Sequence, residues 1–459
     1  MVNAVAKYQK YAEYKDSGFE WVNELPAHWK AVHLKWISTI YAGGTPSKTI
    51  ESYWENGTIP WINSGAVNQG YILEPSTYIT KTAYENSSAK WIPKKALVMA
   101  LAGQGKTKGM VAQLGIDTTC NQSMGAIIPD DLDYSRYLFW WITSNYQNIR
   151  NMAGGDLRDG LNLEHLGDMS CPLPNKDEIQ KIANFLDYET AKIDSLIEKQ
   201  QKLIELLKEK RQAVISHAVT KGLNPDVPMK DSGVEWLGQV PEHWISSRLK
   251  YYTNQIVDGA HFTPTYSETG IPFLRVTDIH NDEIDMENIK YIPEHEHLDL
   301  IQRCKPEKGD LLLSKNGTIG IPKLINWEWE FSIFVSLCLI KFKKNLRAEF
   351  AEYFFKSYEI REQIFGLIKK STVINLHLDK IQNFWFSIPP MEEQTVIVNY
   401  LDKKVVELSN LIAKAESAIQ LMQERRTALI SSAVTGEIDV RHWQNPNHNN
   451  NEAQTELSL

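Results

Sequence analysis

The chain has 459 residues, of which 42% are hydrophobic and 23% charged, and its formal net charge is -8. This composition is ordinary for a soluble protein of two or three domains. The negative charge argues against a diffuse basic coat, so DNA contacts would need local positive clusters or charge supplied by a partner. The four cysteines lie far apart, which excludes a cysteine-rich zinc site. With no apolar run long enough to cross a bilayer and no apolar signal segment, we expect a cytoplasmic protein without membrane contact.

Two short motifs near the start of the chain return later in the same order. The run KDSGFEW at 15–21 is followed by PAHW at 26–29, and KDSGVEW at 230–236 is followed by PEHW at 241–244. The offset is 215 positions in both cases. Such agreement at a fixed offset indicates an internal duplication.

Each copy continues into a region of mixed periodicity, at 36–175 and 251–390. In the first copy, short β-type runs such as 59–63 and 96–101 are separated by glycine-rich turns, and a helical patch follows around 134–148. The second copy diverges in sequence but keeps similar landmarks. These regions are predicted to be two compact, loop-rich domains of mixed α/β structure.

Each domain is followed by a long helical stretch, at 176–221 and 391–440. The first contains no Gly or Pro between about Asp177 and Val219, and would be roughly 60 Å long. Its apolar residues recur at steps of three and four, the pattern of a coiled-coil seam. The predicted seam consists of Ile182, Leu186, Ile193, Leu196, Ile197, Leu203, Ile204, Leu207 and Val214. The second stretch repeats the first at the same offset, so the two helices are expected to pair.

The order of the repeated segments suggests how the chain closes. The segment 222–250, which leads into the second domain, has its twin at 7–35 rather than after the second helix. We therefore expect the N-terminal segment 1–35 to dock on the end of the second helix, and the Asn-rich tail 441–459 to be disordered. The predicted fold class is α+β, with two globular domains joined by two long antiparallel coiled-coil helices and an internal pseudo-twofold duplication.

Searches for catalytic motifs give no convincing site. The run 100–107 resembles a phosphate-binding loop, but a second strand is predicted after it instead of a helix, so an exposed turn carrying Lys106 and Lys108 is favoured. The Asn-Pro-Pro-Tyr-like tetrad of DNA amino-methyltransferases is absent. His280, His295 and His297 could ligate a metal, but a solvated acidic loop is the favoured interpretation. No catalytic, cofactor-binding or metal-binding residue is therefore predicted.

Polar loops in both domains carry the side-chain types that contact base edges and phosphates. For any one of these residues an ordinary polar turn is an equally good interpretation. The candidate DNA-binding residues of the first domain are Thr45, Ser47, Lys48, Asn63, Ser64, Lys106, Lys108, Asn121 and Gln122. Those of the second domain are His261, Thr263, Arg275, Thr277, Lys315, Asn316 and Thr318.

The order of these motifs resembles the specificity subunit of Type I DNA restriction-modification systems. That order is Asp-Ser-Gly-x-Glu-Trp, Pro-x-His-Trp, a variable domain, Leu-Asp and a long helix ending in Ile-Ser-x-Ala-Val-Thr, all present twice. The resemblance implies two target recognition domains that each read one half of a split asymmetric site in double-stranded DNA. It also implies helices that set the spacer and dock two methyltransferase subunits, with motor-nuclease subunits joining that core.

The resemblance further implies a non-catalytic subunit. S-adenosylmethionine, ATP and magnesium would then belong to the partner subunits. Two other classes remain open: a DNA-modifying enzyme that acts alone, either a methyltransferase or a nucleotide hydrolase, and a coiled-coil scaffold without DNA contact.

Overall fold

The computed structural model describes residues 8–103, 105–152, 160–280, 283–368 and 375–446. The chain divides into two compact units, one formed by Met1–Lys199 with Ala418–Leu459 and the other by Gln200–Ser417. Each unit contains one globular domain and a part of each of two long helices, α5 (Lys176–Lys221) and α10 (Met391–Val434).

The first unit combines a five-stranded sheet with a three-stranded sheet, in the strand orders β4-β11-β8-β9-β6 and β10-β5-β7, and two two-stranded sheets. Its strands are β1 (Tyr14–Phe19), β2 (Val22–Pro26), β3 (Lys30–His33), β4 (Ser38–Ala42), β5 (Ile59–Ile62), β6 (Tyr71–Ile72), β7 (Thr77–Ile79), β8 (Leu97–Ala100), β9 (Val111–Leu114), β10 (Thr119–Cys120), β11 (Met124–Pro129) and β12 (Ser170–Leu173). Its helices are α1 (Lys81–Glu85), α2 (Ser135–Ser144), α3 (Tyr146–Asn151), α4 (Leu163–Asp168) and the first half of α5 (Lys176–Lys221).

The second unit has a four-stranded sheet and a three-stranded sheet, in the orders β16-β22-β19-β20 and β18-β17-β21, again with two two-stranded sheets. Its strands are β13 (Met229–Asp231), β14 (Gln239–Pro241), β15 (Ile245–Arg248), β16 (Thr253–Asp258), β17 (Ile271–Leu274), β18 (Lys290–Ile292), β19 (Leu311–Ser314), β20 (Pro322–Leu324), β21 (Ser332–Ile333), β22 (Leu337–Phe342) and β23 (Trp385–Ile388). Its helices are α6 (Glu294–Ile301), α7 (Ala348–Phe355), α8 (Tyr358–Ile368), α9 (Leu378–Gln382) and a part of α10 (Met391–Val434).

The two domains share one topology although their sequences diverge. Strands β4, β11, β8 and β9 correspond in order and direction to β16, β22, β19 and β20. The smaller sheets also correspond, because β5 pairs in parallel with β10 and antiparallel with β7, as β17 does with β21 and β18. The predicted duplication and mixed α/β class are therefore confirmed.

The long helices run antiparallel within each unit. In the first unit, Lys181 donates to the Arg441 carbonyl at 2.7 Å, and Asp194, farther along α5, pairs with Arg426 at 2.8 Å. In the second unit the Arg211 guanidinium donates to the Ser409 hydroxyl at 3.3 Å. Apolar residues of both helices join the main core of their unit, including Ile182 with Leu429 in the first and Val219 with Leu401 in the second.

Two of the predicted seam residues do not lie in a helix interface. Leu196 and Leu203 are 44% and 42% exposed, whereas Ile193 and Ile204 are buried. A straight helix of 3.6 residues per turn drifts away from a 3.5-residue repeat, so a strict heptad reading assigns some residues to the wrong face. The prediction was wrong for these two leucines.

Residues of the N-terminal segment and residues that follow α10 pack against each other near the end of α10. The Tyr14 hydroxyl donates to the Gly436 carbonyl at 2.9 Å, and the Asp439 amide donates to the Gln9 carbonyl at 2.7 Å. The Trp443 ring lies 5.6 Å from that of Phe185. Residues 441–446 are thus ordered, contrary to the prediction of a disordered tail. The rest of that tail, 447–459, and residues 1–7 lie outside the described residues.

Candidate nucleic-acid interface

In the first domain, loops far apart in the sequence are held together by backbone hydrogen bonds at one end of the sheets. The amide of Gly44 donates to Cys120 O at 2.8 Å, and that of Asn121 to Ile62 O at 3.1 Å. Leu101 donates to Ser123 O and receives a bond from the Leu161 amide, both at 2.8 Å. The predicted loops at 43–48, 63–64 and 121–123 therefore converge.

The second domain repeats these bonds with different residues. Ala260 donates to Ile333 O at 2.8 Å, and Phe334 donates to Leu274 O at 2.9 Å. The Lys315 amide donates to Ser336 O at 2.8 Å and its carbonyl accepts from Leu376 at 2.9 Å. These bonds establish which positions correspond: Gly44 with Ala260, Ile62 with Leu274, Leu101 with Lys315, and Asn121 with Phe334.

A glycine makes the close approach of these loops possible in both domains. A Cβ at Gly43 would lie 2.3 Å from the Asn121 carbonyl oxygen, and one at Gly259 would lie 1.9 Å from the Ile333 carbonyl oxygen. Any side chain at either position would push the loop off the neighbouring strand. The first loop after β4 or β16 is therefore tied to the end of β10 or β21 by the lack of a side chain.

The converging loops of the first domain line a cavity of about 700 Å³. Its walls contain five of the predicted residues, Thr45, Lys48, Asn63, Asn121 and Gln122. The cavity is also lined by Glu51, Trp54, Glu55 and Trp61, which were not predicted, and by Ser123 of the predicted loop 121–123. Ser47 lies at its edge, because the Trp54 indole donates to the Ser47 carbonyl at 3.0 Å. Ser64 begins the 3-10 turn that Asn63 caps through its side chain.

The loop between β8 and β9 does not carry the two free lysines that were predicted. Lys106 is exposed, but Lys108 is only 4% exposed. The Arg150 guanidinium of α3 donates to the carbonyls of Gly105 and Lys108 at 2.9 and 3.1 Å and to the Tyr146 hydroxyl at 2.9 Å. These bonds fold the loop against α3 and turn Lys108 inward, so the assignment of Lys108 to a DNA contact is corrected. No helix follows the loop directly, in agreement with the rejection of a phosphate-binding loop.

A buried carboxylate organises the corresponding region of the second domain. Asp258, at the end of β16, accepts hydrogen bonds from Lys315 Nζ at 2.8 Å and His261 Nε2 at 3.0 Å. Arg303 donates to the carbonyls of Asp258 and Gly259. Burial acts to raise the pKa of Asp258, but the bonds from Lys315 and His261 hold it below its ordinary value. Lys315 is 4% exposed and its charge is neutralised, so its assignment to a DNA contact is corrected.

The other predicted residues of the second domain remain near the surface. Arg275 is partly exposed, and its guanidinium makes two bonds of 3.0 and 3.1 Å with Asp278. The amide oxygen of Asn316 is buried and unpartnered. His261, Thr263, Thr277 and Thr318 are exposed. Three of the predicted residues in this domain, His261, Arg275 and Lys315, are therefore already paired with acidic side chains.

Among the described residues, the histidines considered above belong to no cluster that could hold a metal ion. His295 and His297 lie on α6 instead of in a solvated loop, and His297 is buried with Nδ1 2.9 Å from the Ser332 hydroxyl. Burial lowers the pKa of His297. Across the described ranges, no group of three or more His, Cys, Asp or Glu side chains could hold a metal ion. In the same part of the chain, no helix has the length and apolar character needed to traverse a bilayer.

Several contributors to the two sites were missed from sequence. Trp54 and Trp61, whose rings meet edge to face at 5.2 Å, belong to runs that resemble ordinary core segments. Asp258 had a usable signal, because it is a charged residue directly after the apolar pair Ile256-Val257 of β16. Arg303 had none, since its contact with Asp258 depends on tertiary structure.

Comparison with known proteins identifies the class to which this architecture belongs. The family described as the Type I restriction modification DNA specificity domain matches at residues 26–206 and 261–419, so the chain belongs to this family. The specificity subunit of the Type I restriction enzyme MjaIX of Methanocaldococcus jannaschii is 24% identical, covering 95% of this chain and 99% of the relative. That of EcoKI of Escherichia coli K12 is 21% identical, covering 92% of each chain.

Solved structures agree on the fold. A chain from a study of complex assembly and conformational transition in the type I R-M system superposes with a TM-score of 0.71 at 17% identity, over 90% of this chain and 99% of that one. The HsdS subunit from Thermoanaerobacter tengcongensis gives a TM-score of 0.55 at 16% identity, over 90% and 98%. At these identities the likeness concerns the fold.

Proposed function

We propose that this chain is the DNA sequence-specificity subunit of a Type I restriction-modification complex. Each globular domain reads one half of a bipartite asymmetric target in double-stranded DNA. The observation that carries this proposal is one backbone arrangement, present twice, that displays different side chains at corresponding positions. Two half-sites of different sequence require such a pair of domains, because backbone geometry sets where a loop meets DNA and side chains choose the bases.

The proposed partners are two methyltransferase subunits, one per unit, with motor-endonuclease subunits joining them. Each unit exposes leucines of both long helices, among them Leu196 and Leu421 in the first and Leu206 and Leu411 in the second. Leu411 and Leu421 follow Leu196 and Leu206 by the repeat offset of 215. Apolar side chains retained at equivalent exposed positions suit an identical partner bound twice.

The chemistry is assigned to the partners rather than to this chain. S-adenosylmethionine, ATP and magnesium would be bound by the methyltransferase and motor subunits, in the cytoplasm where the DNA is found. The alternative is a DNA-modifying enzyme that acts alone. Purified chain incubated with DNA and labelled S-adenosylmethionine, or with ATP, separates the two, and turnover by the isolated chain would refute the non-catalytic role.

The proposal as a whole is tested by methylome sequencing of cells that express the complete system. We expect one motif with two specified halves and an unspecified spacer, lost when this chain is deleted. Native mass spectrometry of the purified complex should give two methyltransferase copies per chain. A continuous motif, or one copy at saturating partner, would contradict the proposal.

The helices are proposed to set the spacer length. Helices α5 and α10 are continuous over 46 and 44 residues. Inserting four residues into each adds about 6 Å and roughly 40° of turn, so the apolar seam is nearly preserved. Because one base pair occupies about 3.4 Å, the spacer should grow by about one or two base pairs while both half-sites stay the same.

Inserting two residues into each helix is the matched control. It turns the seam by about 200° and should prevent assembly. Mapping of the methylated sites measures activity and spacer length for both variants. An active four-residue variant with an unchanged spacer would refute the ruler role.

A further inference from the structure

A buried, unused hydrogen-bonding group lies in the first domain. The side-chain oxygen of Asn121 is buried and has no hydrogen-bond partner. The backbone of this residue is held on both sides, because its amide donates to Ile62 O at 3.1 Å and its carbonyl accepts from Met124 at 3.2 Å. An unsatisfied buried polar atom is unfavourable, so a group held in this way suits a ligand that supplies the missing partner.

Several neighbouring polar groups of the cavity are already engaged in hydrogen bonds. The Trp61 indole donates to the Gly44 carbonyl at 3.0 Å, and the Trp54 indole donates to that of Ser47. The Gln122 side-chain oxygen accepts a hydrogen bond from the Thr45 hydroxyl. Among these groups the Asn121 oxygen is therefore the acceptor left for a ligand.

The charges lining the cavity favour a base over a phosphate. Lys48 supplies one positive charge, whereas Glu51 and Glu55 supply two negative ones that would repel a phosphate at the same place. A base edge is uncharged and can lie beside both.

We propose that Asn121 reads an adenine of the first half-site by turning its side chain toward the base, so that Oδ1 accepts from N6 and Nδ2 donates to N7. In the major groove only adenine and cytosine offer an amino donor, and only adenine places an acceptor beside it. Guanine and thymine present acceptors that the amide oxygen would repel. This inference rests on the proposed function, because it assumes that the first domain binds duplex DNA.

The second domain lacks this reader. Phe334 occupies the position that corresponds to Asn121, as their equivalent bonds to Leu274 O and Ile62 O establish. A phenyl ring neither accepts nor donates in the plane of a base. Adenine reading at this position of the scaffold is thus a property of the first half-site alone.

The test uses the assembled complex and a panel of duplexes that carry the motif found by methylome mapping, each with one base pair replaced. Wild type should lose roughly 5- to 150-fold in affinity when one particular A·T pair of the first half-site is replaced. The Asn121→Leu variant keeps the side-chain size and should become indifferent at that pair alone. Asn86→Leu, an exposed asparagine outside the cavity, is the matched control and should behave as wild type.

The remaining outcomes distinguish a failure of the adenine assignment from a failure of the proposed function. Unchanged discrimination by Asn121→Leu, or lost discrimination at a G·C pair instead, would overturn the adenine assignment. Retained discrimination at the other base pairs of the first half-site on the same panel establishes that the first domain of the variant is folded. If Asn121→Leu does not fold, Asn121→Asp keeps the acceptor and should prefer cytosine at that pair, whereas an unchanged preference overturns the assignment. A wild-type complex without preference anywhere would instead refute the proposed function.

Discussion

The two recognition domains carry different side chains at positions where their backbones make equivalent hydrogen bonds. Asp258 and Lys315 form a buried ion pair of 2.8 Å in the second domain. The corresponding residues of the first domain are Ala42 and Leu101, as the equivalent strand pairings and loop bonds establish. One scaffold thus holds an ion pair in one copy and two apolar side chains in the other.

This difference shows that the arrangement of the loops depends little on the side chains at these positions. The bonds that gather the loops are made by backbone amides and carbonyls, which every sequence supplies except at proline. Side chains can therefore change from amide to phenyl, or from apolar to charged, without moving the loops. A protein that must acquire new DNA targets benefits from such a division between backbone and side chains.

The largest effect is expected from breaking the ion pair of the second domain. Asp258→Ala alone leaves the buried Lys315 charge without its partner and should cost about 3–5 kcal/mol. Lys315→Leu leaves Asp258 bonded to His261 and Arg303, so it should cost less. The double variant installs the residue types of the first domain and should cost far less than the sum, since apolar replacement of a buried ion pair is often neutral. Hydrogen exchange in β16 and β19 measures the local free energy of opening.

The pH dependence of the stability provides the control for this ion pair. Because the folded state lowers the pKa of Asp258 from its ordinary value of 3.8, the stabilisation is complete above that value and is lost as pH falls through the lowered one. The difference between wild type and the double variant should therefore shift in favour of the double variant only in acid. Equal costs for single and double variants would contradict the equivalence of the two sites.

A smaller effect is expected where the helices of the two units differ. Arg426 makes two bonds with Asp194, at 2.8 and 3.2 Å, whereas the equivalent Arg211 donates to the Ser409 hydroxyl at 3.3 Å. Ser409→Asp should create the missing pair and stabilise the second unit by about 0.5 kcal/mol, as expected for a partly exposed ion pair. Arg426→Ala should cost the first unit a similar amount.

Chemical denaturation at low and high salt measures the change in the free energy of unfolding for both variants. Each should shrink at high salt because exposed ion pairs are screened. A salt-independent gain from Ser409→Asp would refute the ion-pair explanation.

Features repeated in the sequence were predictable, and features that depend on burial were not. The fixed offset predicted the duplication and both helices, and turn residues predicted the loops that contain Asn63 and Asn121. The sequence could not reveal that Lys108 and Lys315 turn inward, because their burial depends on α3 and on Asp258. Leu196 and Leu203 were assigned to the seam because periodicity alone does not identify the face that a helix buries.

The most direct test of the account is an exchange of one domain. Replacing residues 36–170 with the equivalent domain of a relative leaves the helices and the second domain unchanged, and methylation mapping reads the outcome. The account predicts a new first half-site, an unchanged second half-site and an unchanged spacer, with the reverse result when 251–385 is exchanged. An assembled, active complex in which both half-sites change would contradict the claim that each domain reads its half independently.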